Sequence, residues 1–370
     1  QEFGRDYEES EKVAKMLEEA GYDMLDCDNG SYDAWYWPHP PVYMPKACNL
    51  EDVEKVKQWV NIPVICGGRF DDPELAEKEI AAGKIDMMGM GRPLLADPDL
   101  ANKFKEGRED DIRPCISCHF GCLARIFQVD MKTMTPKDIS CALNPRCGME
   151  NHYNITKADV LKKVAVVGGG IAGMEAALDL KETGNTPIII EKSTSLGGQF
   201  ALAGVISAKK DFKNAVDKMI KDVEESKIEV YLNTKATLEL ISSMKPDALI
   251  VATGSDPFVL PIHGADKCTI AHDVLSEKVN IKGENVVIIG GGLVGFETAE
   301  FLASQGKKIT ILEMKEKALQ DLGPLRQITA QFAMNKMPIT IETNATVEKI
   351  EDNVVIASGK EYFYDDVIMA

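Results

Sequence analysis

No apolar run in the 370 residues is long enough to cross a bilayer, and the first ten, QEFGRDYEES, are charged where a secretory signal needs an apolar core. Neither a membrane partner nor export is therefore expected, and the chain reads as cytoplasmic. Positive charge is also short: 42 Lys and Arg stand against 59 Asp and Glu, a net charge of −17. That balance argues against a nucleic-acid groove or an anionic membrane and leaves small molecules as the expected partners, with homo-oligomer formation open. A secreted disulfide framework is missing too. The nine cysteines are odd in number and mostly clustered, the pattern of free thiols or metal ligands under reducing conditions. What is present, 45% apolar and 27% charged residues, is ordinary soluble composition with room for two or three domains.

There is no initiator Met, the first clear element is already a helix (YEESEKVAKMLEEAG), and the last, YDDVIMA, stops inside an apolar strand. The chain thus reads as a piece of a longer polypeptide. Residues 1–107 alternate helices carrying apolar residues at i, i+3 and i+4 with short apolar strands (YDMLDCD, IPVICGG, IDMMGMG). Repeated βα units of this size fit a (β/α)8 barrel or an open doubly wound sheet; three strands cannot close a barrel, so as a barrel this is its C-terminal part. Residues 108–160 break the rhythm with a cysteine segment and the polar stretch NHYNITKAD. From 161 a second α/β pattern begins, and it contains an internal repeat that divides it into 161–262 and 263–370.

The repeat pairs KKVAVVGGGIAGMEAALDLKETGNTPIIIEK with ENVVIIGGGLVGFETAEFLASQGKKITILEM. Each has an apolar strand, Gly-x-Gly-x-x-Gly, a helix, a second strand and an acid at its end. In the first copy the glycines are Gly168, Gly170 and Gly173 and the acid is Glu191; in the second they are Gly290, Gly292, Gly295 and Glu313. The first glycine permits a tight turn, the second lets backbone approach a pyrophosphate, and the third lets helix pack on strand. One such motif is a weak signal, but the whole plan occurring twice predicts tandem Rossmann-like domains. Glu313 would accept from a ribose 2′-hydroxyl and repel a 2′-phosphate, favouring NADH over NADPH. The first copy continues with LGGQF, containing Gly198 and Gln199, and DALIVATGS, an arrangement similar to the FAD domain of glutathione-reductase-like flavoproteins.

Those flavoproteins pass electrons from FAD to a cysteine pair, yet after residue 150 this chain has only Cys268. The candidate outlet lies upstream, in CISCHFGC. Cys115, Cys118 and Cys122 lie close together and Cys141 follows across residues 123–140, with Cys147 competing for the fourth place. Zinc usually takes two separated pairs, whereas three crowded thiols and a distant fourth suit a 4Fe–4S cluster. Structural zinc and plain core cysteines are the rival readings, and His119, between the thiols, reads as a polar loop residue. Two strands upstream end in ICGGRF and MGMGRPLLADP. The loops after the last strands of a (β/α)8 barrel commonly bind phosphate, so the glycines and arginines there fit FMN.

In this order the segments GGRFDDPELAEKEIAAGKIDMMGMGRPLLADPDL, CISCHFGC, CALNPRC, VAVVGGGIAGMEAA and VVIIGGGLVGFETA resemble the branch of the Old Yellow Enzyme superfamily that contains 2,4-dienoyl-CoA reductases and bile-acid-inducible NADH:flavin oxidoreductases. The resemblance implies an FMN barrel, a 4Fe–4S cluster, FAD and NADH in one polypeptide. By motif position it implies Gly68, Arg69, Gly91 and Arg92 at the FMN phosphate, and Cys115, Cys118, Cys122 and Cys141 on the cluster. Cys141 is preferred to Cys147 because the family's fourth ligand precedes an Asn-Pro, here Asn144-Pro145. Two departures stand out: an insertion around FQVDMKTMTPKD, and Tyr32 where the dienoyl-CoA reductases carry an active-site His. The resemblance implies that the family's principal proton-donating Tyr belongs to a barrel portion outside this chain, which leaves Tyr32, with His39 behind it, as a candidate partner in proton transfer. Trp35, Tyr36, Trp37 and Tyr43 could line a pocket for a ring substrate or pack on one another. The implied activity runs electrons from NADH to FAD to the cluster to FMN, reducing, or in reverse desaturating, an enoyl-CoA or a bile-acid or steroid-like enone. The rivals are an amine dehydrogenase like trimethylamine dehydrogenase and an electron-transfer module serving a protein acceptor.

Overall fold

A computed structural model describes residues 4–126, 128–129, 132–135, 137–153 and 155–370 of the chain. They divide into two units, Gln1–Met149 with Leu322–Phe332, and Glu150–Asp321 with Ala333–Ala370. The division differs from the sequence boundaries in two ways. The βα region and the cysteine segment form one unit rather than two, and a short piece from the far end of the chain joins them. Of the expected insertion, residues 127, 130, 131 and 136 lie outside the described residues, as does residue 154 of NHYNITKAD.

In the first unit, β1 (Leu25–Cys27), β2 (Val64–Cys66) and β3 (Met87–Met88) form a parallel sheet in that order. The intervening helices start where their caps dictate. Asp6 accepts from the Glu9 N–H ahead of Tyr7–Glu19, and Asp72 accepts from the Leu75 N–H ahead of Pro73–Ala81, whose proline occupies a position that needs no donor. Their apolar faces, with Val53 of the helix Leu50–Trp59, close over Val64, Cys66 and Ile85. Parallel strands of this kind leave their C-terminal ends facing one side, so the loops after Cys27, Cys66 and Met88 share a rim.

The second unit holds two parallel sheets. β4 (Lys163–Val167), β5 (Thr186–Ile190), β6 (Glu229–Tyr231) and β7 (Ala248–Val251) run in the order β6-β5-β4-β7. β8 (Thr269–Ile270), β9 (Asn285–Ile289), β10 (Lys308–Leu312), β11 (Ile339–Glu342) and β15 (Asp366–Met369) run in the order β11-β10-β9-β15-β8. Between β11 and β15 the chain makes the antiparallel meander β12 (Val347–Glu351), β13 (Val354–Ala357) and β14 (Lys360–Phe363). In each parallel sheet the order reverses beside the first strand of the repeat, which opens a crevice at the end of β4 and of β9. The strands are continuous apolar runs because helices cover them; Val164, Ala165, Val166 and Ile188 to Ile190 are all buried. A buried ion pair, Lys209 with Glu297, connects the helix that follows β9 to a segment preceding β6.

Candidate functional site

The two glycine turns make matching contacts at their first and third glycines. After β4, Gly168 has φ +108°, and a Cβ there would meet the Ala252 carbonyl at the end of β7 at 2.3 Å. Gly173, one turn into the helix Ile171–Glu182, would put a Cβ 1.8 Å from the Gly168 carbonyl oxygen. After β9, Gly290 has φ +114° and faces the Ala370 carbonyl, and Gly295 would put a Cβ 1.9 Å from the Gly290 oxygen. Gly170 and Gly292 cap the two helices with extended backbone and no side-chain cap, leaving the first helical N–H groups available to a phosphate.

The acids behave alike as well. Glu191 Oε2 accepts from Gly169 N–H at 2.6 Å and Oε1 from Ser193 N–H at 2.7 Å. Glu313 repeats this with Gly291 at 2.8 Å and Lys315 at 2.8 Å. Burial pushes the Glu191 carboxyl up, but the hydrogen bonds from Gly169 and Ser193 outweigh it and hold the group below its ordinary value. Gly197 and Gly198, both at positive φ, lay the LGGQF loop against Gly170, and the Gln199 amide donates to the Ser255 carbonyl just beyond β7.

In the first unit the loops after β2 and β3 open onto a cleft of about 720 Å³. Gly68, Arg69, Gly91, Arg92 and His39 all line it. Gly68 needs its φ of +97° and its missing side chain, because a Cβ would strike the amide of buried Asn49 at 2.2 Å. Arg69 is turned toward the protein: its Nη1 donates to the carbonyls of Val42, at 2.8 Å, and Met44, and Nε donates to Ser117 Oγ at 3.2 Å. Arg92 donates to the Pro40 carbonyl at 2.8 Å. His39 is half-buried and rests edge-on against Trp35, ring centroids 5.4 Å apart; burial, then the nearby Arg92 charge, lowers its pKa.

Tyr32 stands elsewhere. It is 93% exposed in a single helical turn, Tyr32–Ala34, and is not among the residues lining the cleft. Trp35, Tyr36, Trp37 and Tyr43 do not line it either. Trp35 packs on Tyr32 and His39, Tyr36 on Trp37 and, edge-on at 5.7 Å, on Phe332 of the helix Pro324–Met334. Of the two expectations for this loop, self-packing describes the arrangement.

The thiols converge. Cys115, Cys118, Cys122 and Cys141 line one cavity, and Cys147 does not line it. Among the described residues no three His, Cys, Asp or Glu side chains close on a single-ion position, and the four cysteines share the lining of this cavity. The long gap is closed by backbone: Ser140 N–H donates to the Gly121 carbonyl at 2.7 Å, and Gly121 must be glycine because a Cβ would fall 2.5 Å from the Ser140 oxygen. This pairing places Cys141 beside Cys122 whatever lies between. Asn144 then ties the segment down, its amide donating to the Leu95 carbonyl at 2.9 Å. Ser117 and His119 take left-handed backbone, φ +49° and +59°, and the N–H groups of Ser117, Phe120 and Leu123 face the sulfurs of Cys115, Cys118 and Cys122. Burial raises all three thiols, Cys115 to about 11, while these amides pull the other way. Arg326 of the helix Pro324–Met334, buried, adds a positive charge felt at Cys118.

His119 is no ordinary loop residue. It is 3% exposed, lines the thiol cavity, and its Nε2 lies 2.7 Å from Arg92 Nη1. Burial and the Arg92 charge push its pKa down to about 3. Arg92, Cys115, Ser117 and Cys122 line the cavity and the cleft alike, so they form a common wall. Neither His119 nor Arg326 had a local signal: both acquire their roles from contacts distant in sequence.

Residues 162–370 match the pyridine nucleotide-disulphide oxidoreductase family, and residues 1–111 match the NADH:flavin oxidoreductase / NADH oxidase family. A cinnamate reductase of Clostridium sporogenes is 46% identical over 98% of this chain and 54% of its own length. An NADH oxidase of Thermoanaerobacter brockii is 40% identical over 97% of this chain and 55% of its own. Among solved structures, a 2-naphthoyl-CoA reductase in complex with 2-naphthoyl-CoA has a TM-score of 0.92 and 32% identity over all of this chain and 56% of its own. The chain therefore spans about half the length of the curated relatives it matches. On these matches the chain belongs to the Old Yellow Enzyme-related NADH:flavin oxidoreductases, joining an FMN-oxidoreductase region to a pyridine nucleotide-disulphide oxidoreductase region.

Proposed function

We propose that the chain is part of an NADH-dependent flavin and iron–sulfur oxidoreductase that reduces the activated C=C bond of an enoate, enoyl-CoA or enone. The observation that carries this reading is the common wall: Cys115 and Cys122 each line both the thiol cavity and the cleft bearing the glycine and arginine loops. A ring of four thiols with backbone N–H groups turned on the sulfurs suits a 4Fe–4S cluster better than a single tetrahedral ion. The three-stranded unit is read as the C-terminal part of a (β/α)8 barrel, whose last two strand ends would carry the phosphate of FMN. When bound, NADH, FAD, the cluster and FMN supply the hydride and single-electron chemistry, in that order.

The protein's own residues position and insulate. The helix N-termini after Gly170 and Gly292 would face the pyrophosphates of FAD and NADH, with Glu191 and Glu313 keeping lone pairs for ribose hydroxyls. Arg92 would offer charge to the FMN phosphate, whereas Arg69 braces the loop 42–44 and Ser117 from behind. His39 lines the cleft and Tyr32 does not, so His39 is the better placed of the two for proton transfer there, with its pKa lowered by burial and then by the Arg92 charge. The reductases of cinnamate and 2-naphthoyl-CoA among the similar proteins support conjugated, ring-bearing acids or thioesters as the substrate class.

The test is anaerobic purification of the full-length polypeptide with iron, sulfide, FMN and FAD quantified, followed by NADH oxidation against a panel of aryl enoates, enoyl-CoAs and enones. Iron, sulfide and both flavins with turnover of at least one acceptor are expected. Zinc in place of iron, or no FAD, overturns the proposal.

A further inference from the structure

We infer that His119 is a positioning residue that donates a hydrogen bond from Nδ1 to a sulfur of the iron–sulfur group and raises its reduction potential, while its other nitrogen ties that group to Arg92. The inference rests on the cluster reading above. A guanidinium can only donate, so the 2.7 Å contact from Arg92 Nη1 makes Nε2 the acceptor and assigns the ring hydrogen to Nδ1, in preference to a ring N–H shared with the Pro40 carbonyl, which already accepts from Arg92 at 2.8 Å. That Nδ1 is buried without a hydrogen-bond partner among the described residues, in a side chain that lines the cavity ringed by the four thiols. A buried N–H left unmade is costly, so a donor held in that place calls for an acceptor that the protein does not itself supply.

The backbone is shaped to the same end. Ser117 and His119 both take left-handed conformations, and the N–H groups of Ser117 and Phe120 serve the sulfurs of Cys115 and Cys118. His119 adds a side-chain donor to those amide donors. Hydrogen bonds to sulfur stabilise the more negative, reduced state, so each added donor raises the potential. Because Arg92 also lines the cleft, the ring bridges the two sides of the common wall.

The experiment is an EPR-monitored redox titration of the anaerobically purified full-length holoprotein, comparing wild type with His119→Leu, which has no donor, and His119→Asn, whose side-chain amide reaches the Nδ1 position. A hydrogen bond to a charged group predicts that His119→Leu shifts the oxidised-to-reduced ratio about tenfold toward oxidised, roughly 59 mV for one electron, with His119→Asn recovering most of it. An unchanged potential in His119→Leu with full iron and sulfide overturns the inference and leaves the cluster reading intact. Wild type without iron and sulfide ends both. Should His119→Leu fail to fold or load, wild type carrying 15N-histidine decides the matter: the reduced cluster is expected to show a histidine nitrogen coupling, and its absence refutes the bond.

Discussion

Replacing Gly173 with Ala separates the two dinucleotide sites by a steric argument that needs no change of charge. The added methyl would stand 1.8 Å from the Gly168 carbonyl oxygen, where real contacts essentially never fall below 3.0 Å; the difference, 1.2 Å, must be made up by movement. Neither side can yield cheaply. Gly168 is held at φ +108° with the Ala252 carbonyl against its other side, and Gly173 lies in a helix packed on β4. Alanine favours the helix by up to about 1 kcal/mol, while overpacking of this kind costs roughly 1–3 kcal/mol and more when both partners are backbone. The clash wins, with a net loss of about 2 kcal/mol falling on the turn, roughly a thirtyfold weakening of FAD binding. In the full-length protein, FAD retained per chain after gel filtration, and its Kd by calorimetric titration of the stripped protein, would show this. The mirror change, Gly295→Ala, should weaken NADH by a similar factor and leave FAD stoichiometric. Wild-type FAD affinity in Gly173→Ala, or loss of FAD rather than NADH in Gly295→Ala, would refute the reasoning.

Cys141→Ala should lower iron per chain while Cys147→Ala leaves it at the wild-type level, measured on anaerobically purified protein; equal losses would mean that the cavity does not report the ligand set. Removing one partner of the buried Lys209–Glu297 pair should cost about 3–5 kcal/mol in denaturant unfolding, whereas Lys209→Met combined with Glu297→Leu should recover most of it. Additive losses in that cycle would show that the two charges act independently. Glu191 lies below its ordinary value of 4.5 when folded, so the stability it contributes is fully present above that pH and is lost as pH falls through the lower folded value. Glu191→Gln should therefore flatten the acid limb of the Tm profile, and a limb as steep as in wild type would contradict the assignment.

Features carried by nearby residues were readable from the sequence: both glycine turns with their acids, the parallel strands ending at Cys66 and Met88, and the first three thiols. Each is built within one βα unit or one loop, so spacing encodes geometry directly. Cys141 was reached only through resemblance, and the structure supplies the physical reason in the pairing of Gly121 with Ser140. Roles set by distant partners were not readable. Nothing near Arg69 announces that its guanidinium serves the carbonyls of Val42 and Met44, and nothing near Tyr36 announces Phe332. The motif position of Tyr32 points to the site, but its exposed side chain packs on Trp35 of its own loop instead.

The paired carboxylates carry one more implication. Each glycine turn is closed by its own glutamate, Glu191 accepting from the Gly169 N–H and Glu313 from the Gly291 N–H, with no ligand needed to hold it. The entropy of ordering these loops is therefore met when the chain folds and not when it binds. A nucleotide that binds such a turn could then come and go without the turn melting and re-forming.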